Sequence, residues 1–135
     1  MNSVIQPASI AAPAAKYALG VAIPAGSEIV LTSGIVGERP DGSISTDIGE
    51  QAAEMWRSVD AILAAGGFTK TDVVAYTTYA VVGHELGAVM AARDVYFEGH
   101  LATSTLVPVP MLARPHWFVE VTVTAARRPT SYVHV

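Results

Sequence analysis

Ala113-Arg114-Pro115-His116-Trp117-Phe118-Val119-Glu120-Val121-Thr122-Val123-Thr124-Ala125-Ala126-Arg127-Arg128 reads as a turn closed by Arg-Pro, then a β-strand holding one carboxylate, then two arginines that stop it. Alternate residues of a strand share a face. Trp117, Val119, Val121, Val123 and Ala125 therefore make one wholly apolar face that has to be buried. Glu120 falls on the other face with Phe118, Thr122, Thr124 and Ala126. That second face is neither greasy nor charged, and an isolated acid in it asks for a role.

Upstream of this strand the pattern predicts a mixed sheet and two helices. Residues 1–15, rich in Ala, Pro and Ser, read as a loose arm. Tyr17 to Ile23 and Glu28 to Ser33 read as two strands of a hairpin joined by Pro24-Ala25-Gly26-Ser27. Residues 34–45 make a loop with a tight turn at Asp41-Gly42, flanked by a short strand. Ile48, Ala52, Met55, Trp56, Val59, Ile62 and Leu63 form one stripe of an amphipathic helix. Asp47 and Glu50 cap its start and Gly66-Gly67 ends it. Val73 to Val82 reads as a buried strand. Glu85 to Phe97 reads as a second helix with Leu86, Val89, Met90, Arg93, Tyr96 and Phe97 on one side. A Thr103-Ser104-Thr105 link leads to a strand from Leu106 to Met111, which Pro108 and Pro110 confine to an edge.

Two helices after paired strands imply one mixed sheet with both helices on one face. The other face then needs a cover. Composition agrees, because 51% of the 135 residues are hydrophobic and only 15% are charged, against a usual quarter. Such a surface is best hidden against further copies of the chain. No linker or low-complexity tract divides it, so residues 1–135 are expected to form one domain.

Charge and residue types exclude several functions. The net charge is −4 and the eight basic residues are scattered apart from Arg127-Arg128, which does not make the stripe a nucleic acid requires. The absence of cysteine removes disulfide and thiolate chemistry. His84, His100, His116 and His134 lack metal-ligand spacing, so no metal and no cofactor are expected. The apolar segment from Ile10 to Ala25 is broken by Pro13, Lys16, Gly20 and Pro24. It has neither the form of a signal peptide nor the length of a membrane helix, and a cytoplasmic protein with no membrane partner is expected.

From Ala12 to Arg128 the chain resembles the RidA (YjgF) family of reactive-intermediate deaminases, also labelled L-PSP endoribonucleases. Several segments carry the resemblance, in order. They are Lys16-Tyr17 with Gly20, Leu31-Thr32-Ser33-Gly34, the Gln51 helix ending Ala64-Ala65-Gly66-Gly67, and Asp72-Val73-Val74. Tyr96-Phe97, Leu112-Ala113-Arg114-Pro115 with Trp117, and Val119-Glu120-Val121 follow. The resemblance implies a chorismate-mutase-like α/β fold and a homotrimer with a central barrel-like core. It also implies small-molecule clefts between subunits. Tyr17 and Glu120 match the tyrosine and glutamate that place the hydrolytic water in deaminating members. The arginine that holds the substrate carboxylate has no counterpart, and Ser104 falls at its place by counting back from Leu112.

Charge-assisted bonds contribute about 1.5–3 kcal/mol each, so losing a bidentate arginine removes most of the grip on a carboxylate. The residues therefore support a hydrolase or deaminase of a small reactive imine or enamine, not a standard 2-imino acid deaminase. Glu120 and Tyr17 are the catalytic candidates. Ser33, Thr103, Ser104, Thr105, Arg114 and Trp117 are candidates for contacting the substrate. The alternative is a small-molecule-binding or regulatory trimer without turnover. A ribonuclease is the weakest reading, given the acidic charge.

Overall fold

The structure, a computed structural model, describes residues 1–129. The strands are β1 (Ser3–Ile5), β2 (Gly20–Ala22), β3 (Glu28–Leu31), β4 (Ile35–Val36), β5 (Val73–Val81), β6 (Thr103–Val109) and β7 (Val119–Arg127). The helices are α1 (Ile48–Ala65) and α2 (Leu86–Phe97), with a 3-10 turn at Lys70–Asp72 before β5. The five-stranded sheet runs β3-β7-β5-β6, with β4 following β3 along the same side of β7. Only β5 and β6 are parallel, joined through α2.

Helix α1 forms where its periodicity predicts. Asp47 caps it, Oδ2 accepting the Glu50 amide at 2.9 Å, while the Glu50 carboxylate accepts a bond from Ser45 Oγ at 2.8 Å. Gly67, at φ 80°, turns the chain out of the helix. Met55, Trp56, Val59 and Leu63 of α1 pack on Val119, Val121, Val123 and Ala125 of β7, all of them essentially inaccessible to solvent. Each buried side chain of this size is worth about 1.5–3 kcal/mol relative to exposure. Gln51 alone breaks the apolar stripe, and it is fully buried. Its Nε2 donates to the Ser45 and His116 carbonyls and its Oε1 accepts from the Phe118 amide, so it ties α1 to the segment entering β7.

Four expectations are corrected. The first residues are not a loose arm, because β1 pairs antiparallel with β2. The hairpin from Tyr17 to Ser33 does not form. With β2 already held by β1, the Pro24–Ser27 turn delivers β3 to β7 instead. Thr103-Ser104-Thr105 is no link but the start of β6, and the strand ends at Val109, before Pro110. Finally, β7 starts at Val119, so its alternation does not reach Trp117. Phe118 packs against the core, whereas Trp117 stays in the preceding loop under Arg114, whose guanidinium carbon lies 5.4 Å from the ring centre.

Both helices lie on one face of the sheet. The other face carries Ile29, Leu31, Val36, Ala75, Thr77, Tyr79, Val81, Thr103, Thr105, Val107 and Val109 beside Glu120, Thr122, Thr124 and Ala126. No helix of the described chain covers it; only its end at Ala126, where Asn2 of the N-terminal segment donates to the Ala126 carbonyl, is fully buried.

Candidate functional site

Glu120 sits on that uncovered face, between Val36 of β4 and Tyr79 of β5 in the ladder. Its post depends on a bulge. From Leu31 to Ile35 the β3–β4 side takes four steps, while β7 takes three from Thr124 to Val121. Thr32 bridges the irregularity: its amide donates to the Val123 carbonyl and its Oγ1 accepts the Val123 amide, both at 3.0 Å. The extra residue leaves Ser33 and Gly34 exposed at the sheet edge. A Cβ at Gly34 would overlap Glu120 Oε2, so the carboxylate rests against bare backbone. Glu120 is half-buried, and none of the ion pairs among the described residues involves it.

The other expected site residues divide into groups. Ser33 adjoins Glu120 through the bulge. Arg114 and Trp117 lie in the loop that enters the Glu120 end of β7, stacked on each other. Tyr17 is at the far edge. Its neighbour Ala18 makes a parallel bridge to Thr103 of β6, and its own hydroxyl accepts the Ala14 amide at 3.2 Å. Thr103 and Thr105 share Glu120's face beside it, although the Thr103 hydroxyl is engaged by the Val74 carbonyl at 3.0 Å. The route from Ala18 through Thr103, Ala75 and Thr124 crosses three strand spacings, and Glu120 lies four residues further along β7. At ~4.8 Å per strand and ~3.3 Å per residue, the two catalytic candidates of one chain are roughly 19 Å apart.

Ser104 is not brought to Glu120 at all. In parallel register it pairs with Tyr76, whose side chain is buried against α1 and α2. It opens into a cavity of about 20 Å³ lined by Trp56, Tyr76, Thr78 and Arg93 on the helix side. An arginine at 104 would point to this helix side, on the reverse of the sheet from Glu120. Positions of β6 on Glu120's face are Thr103, Thr105, Val107 and Val109.

Sequence reasoning placed Arg93 on the apolar stripe of α2 but gave it no role. It pairs with Asp94 at 3.0 Å and lies beside the Tyr76 phenol. Burial raises the Tyr76 pKa above the ordinary tyrosine value, with Ser104 and Arg93 opposing the shift. Among the described residues no group of His, Asp and Glu is placed to hold a metal, and no helix is long and apolar enough to cross a membrane.

Two helices on one face of this mixed sheet, with a lone acid on the other, define a chorismate-mutase-like fold of the kind the resemblance implies. The model of the endoribonuclease L-PSP family matches residues 8–127, and the chain belongs to that family, which includes the RidA/YjgF proteins. Its fold is similar to that of the Rid protein YyfB of Yersinia pestis, a protein of unknown function. The two share 25% identity at a TM-score of 0.83, over 93% of this chain and 98% of that one. A YjgF-family protein from Mycobacterium tuberculosis is 22% identical, with a TM-score of 0.65 and coverage of 93% and 98%. TdcF of E. coli, solved with bound serine, is 24% identical, with a TM-score of 0.69 and the same coverage. At these two identities the likeness extends to the fold alone. No curated protein matches the chain.

Proposed function

We propose that the chain is a RidA-type hydrolase that converts a small reactive imine, or its enamine tautomer, with water to a carbonyl compound and ammonia. Glu120 carries the reading, because it is the only charged residue among the strand positions of the uncovered face. It takes the proton of the attacking water and returns it to the departing nitrogen. Tyr17 holds the water.

Tyr17 lies beyond the β6 edge and Glu120 lies on the interior strand β7, beside the β3–β4 edge, so within one chain they are too far apart to meet and can do so only across copies. Joining one edge to the other side of the next copy is a heterologous contact, which forms a ring when its rotation closes. A homotrimer with small-molecule clefts at each junction fits this geometry and also covers the open face. Thr103, Thr105 and Ser33 line the cleft as hydroxyl groups, and Arg114 with Trp117 borders the Glu120 end. The cations are dispersed. Arg39, Arg57, Lys70 and Arg93 each face a carboxylate, which leaves no basic track for RNA.

The test supplies imines in situ. An amine oxidase acting on isobutylamine releases an uncharged-chain imine, and an amino-acid oxidase acting on 2-aminobutyrate releases 2-iminobutyrate. Aldehyde, keto-acid and ammonia release are followed with and without the protein. The expected result is acceleration of the first, little effect on the second, and loss of the effect in Glu120→Gln. Robust turnover of 2-iminobutyrate would sink the altered-substrate reading. No acceleration of either leaves the binding-only trimer, which the unpartnered Glu120 carboxylate also suits.

A further inference from the structure

We infer that the Glu120 site selects organic cations, an alkyl ammonium or the protonated imine, over carboxylates of the same shape. This rests on Glu120's face being the working surface, and it adds the charge of what binds there.

The row across the sheet is Val36, Glu120, Tyr79 and Val107, each paired with the next. Glu120 is thus a single negative charge with an aliphatic neighbour on one side and an aromatic ring on the other. Nothing on that face of the strands offsets it, since every other strand position there is apolar or carries only a hydroxyl. An anion placed beside Glu120 would be repelled. A cation gains the carboxylate and can also rest on the Tyr79 face, since an aromatic ring attracts ammonium groups through its quadrupole.

Cations nearby on other elements do not reverse this balance. Arg93 lies on the helix side against Asp94, and Lys16, next to Tyr17, lines a small cavity with Asp94, Phe97 and His100 on that same side. A copy that brings Tyr17 to Glu120 therefore brings Arg93 already paired with Asp94, and Lys16 on the helix side of the sheet rather than on Glu120's face. Arg127 lies over the Phe68 ring, its guanidinium carbon 5.1 Å from the centre, and Arg114 lies over Trp117. The protonated imine is also the more electrophilic form toward water. A site that favours the cation favours the reactive species.

The probes are isobutylammonium and isobutyrate, matched in carbon skeleton and opposite in charge, titrated into the full chain and followed by backbone amide NMR. Isobutylammonium is expected to shift the Glu120, Tyr79 and Gly34 amides in a saturable way, and isobutyrate to leave them unmoved. Glu120→Gln should weaken the ammonium at least tenfold. Tyr79→Leu should weaken it several-fold, and Tyr79→Phe, which keeps the ring, should restore it. Equal or tighter binding of isobutyrate, or ammonium shifts that map away from β4, β5 and β7, would overturn the inference. The outcome separates from that of the turnover assay. Ammonium binding without imine hydrolysis removes the enzyme and keeps the charge preference. Hydrolysis with isobutyrate binding does the reverse.

Discussion

At the scale of the residue, two glycines show what holds Glu120 and what holds the fold. An alanine Cβ at Gly34 would meet the end of the Glu120 side chain, which can swing aside. An alanine Cβ at Gly37 would meet the Gln51 carbonyl and Cα, which belong to a rigid helix and cannot. Gly34→Ala is therefore expected to change unfolding free energy by less than about 1 kcal/mol while moving the carboxylate, with imine hydrolysis falling at least tenfold. Gly37→Ala is expected to cost about 3 kcal/mol, since overpacking a closed contact forces backbone shifts. Urea unfolding of both variants beside the turnover assay separates the two effects, and equal destabilisation would refute the assignment of Gly34 to the site. The face that Glu120 occupies was legible in the sequence, because the Val/Thr alternation of the strand puts the acid opposite the buried valines. Ser104 was misplaced because counting residues locates a position but not its face, and a slip of one inverts the side chain. Gln51 was passed over, although a lone amide at a buried position of the apolar stripe is the signal that could have found this hydrogen-bonding hub.

At the scale of the element, helices were more legible than strands for a physical reason. A helix satisfies its own backbone, so α1 follows from its stripe, Asp47 and Gly66-Gly67. A strand is defined by its partner, and the partner of Gly20–Ala22 is Ser3–Ile5, hidden in a Pro- and Ala-rich segment. Adjacent strands suggested a hairpin that the sheet does not contain, because β7 offered β3 a longer and more apolar edge. The α1–α2 contact gives a pH prediction. Tyr96 stacks on Trp56 with ring centres 5.1 Å apart, and its hydroxyl donates to Asp60 Oδ1 at 2.8 Å. Burial, then the Asp60 carboxylate, raises its pKa well above the ordinary 10.0. A tyrosine raised in the folded state stabilises fully below the unfolded value, and that contribution is lost as pH climbs from there toward the folded value. Unfolding free energy should therefore fall steeply above about pH 10, and Tyr96→Phe should flatten that fall while losing about 1 kcal/mol at neutral pH. An unchanged slope in Tyr96→Phe would show that this tyrosine does not govern alkaline stability.

At the scale of the whole molecule, the uncovered face is the feature that most constrains function. Scarce charge and a count of only two helices already implied such a face, because neither can be reconciled with a solvated sheet. The placement of Tyr17 beside β6 was not legible, since its neighbour Ala18 joins Thr103 only through a single bridge between segments far apart in sequence. The pairing of Thr77 with both Thr105 and Thr122 marks the middle of the face, on the most central strand pair. A carboxylate there would be tolerated by an isolated chain, since the position is half-exposed, but not inside an assembled core, where an unpaired charge is strongly disfavoured. Thr77→Asp is accordingly expected to keep the far-ultraviolet circular dichroism of the parent while light scattering moves from the mass of three chains to that of one. Imine hydrolysis should disappear with the trimer, because Tyr17 of one copy no longer reaches Glu120 of the next, although isobutylammonium should still shift the Glu120 amide of the monomer. A Thr77→Asp protein that stays trimeric would mean that the rings close through some other surface, and the cleft would have to be sought away from β5 and β6.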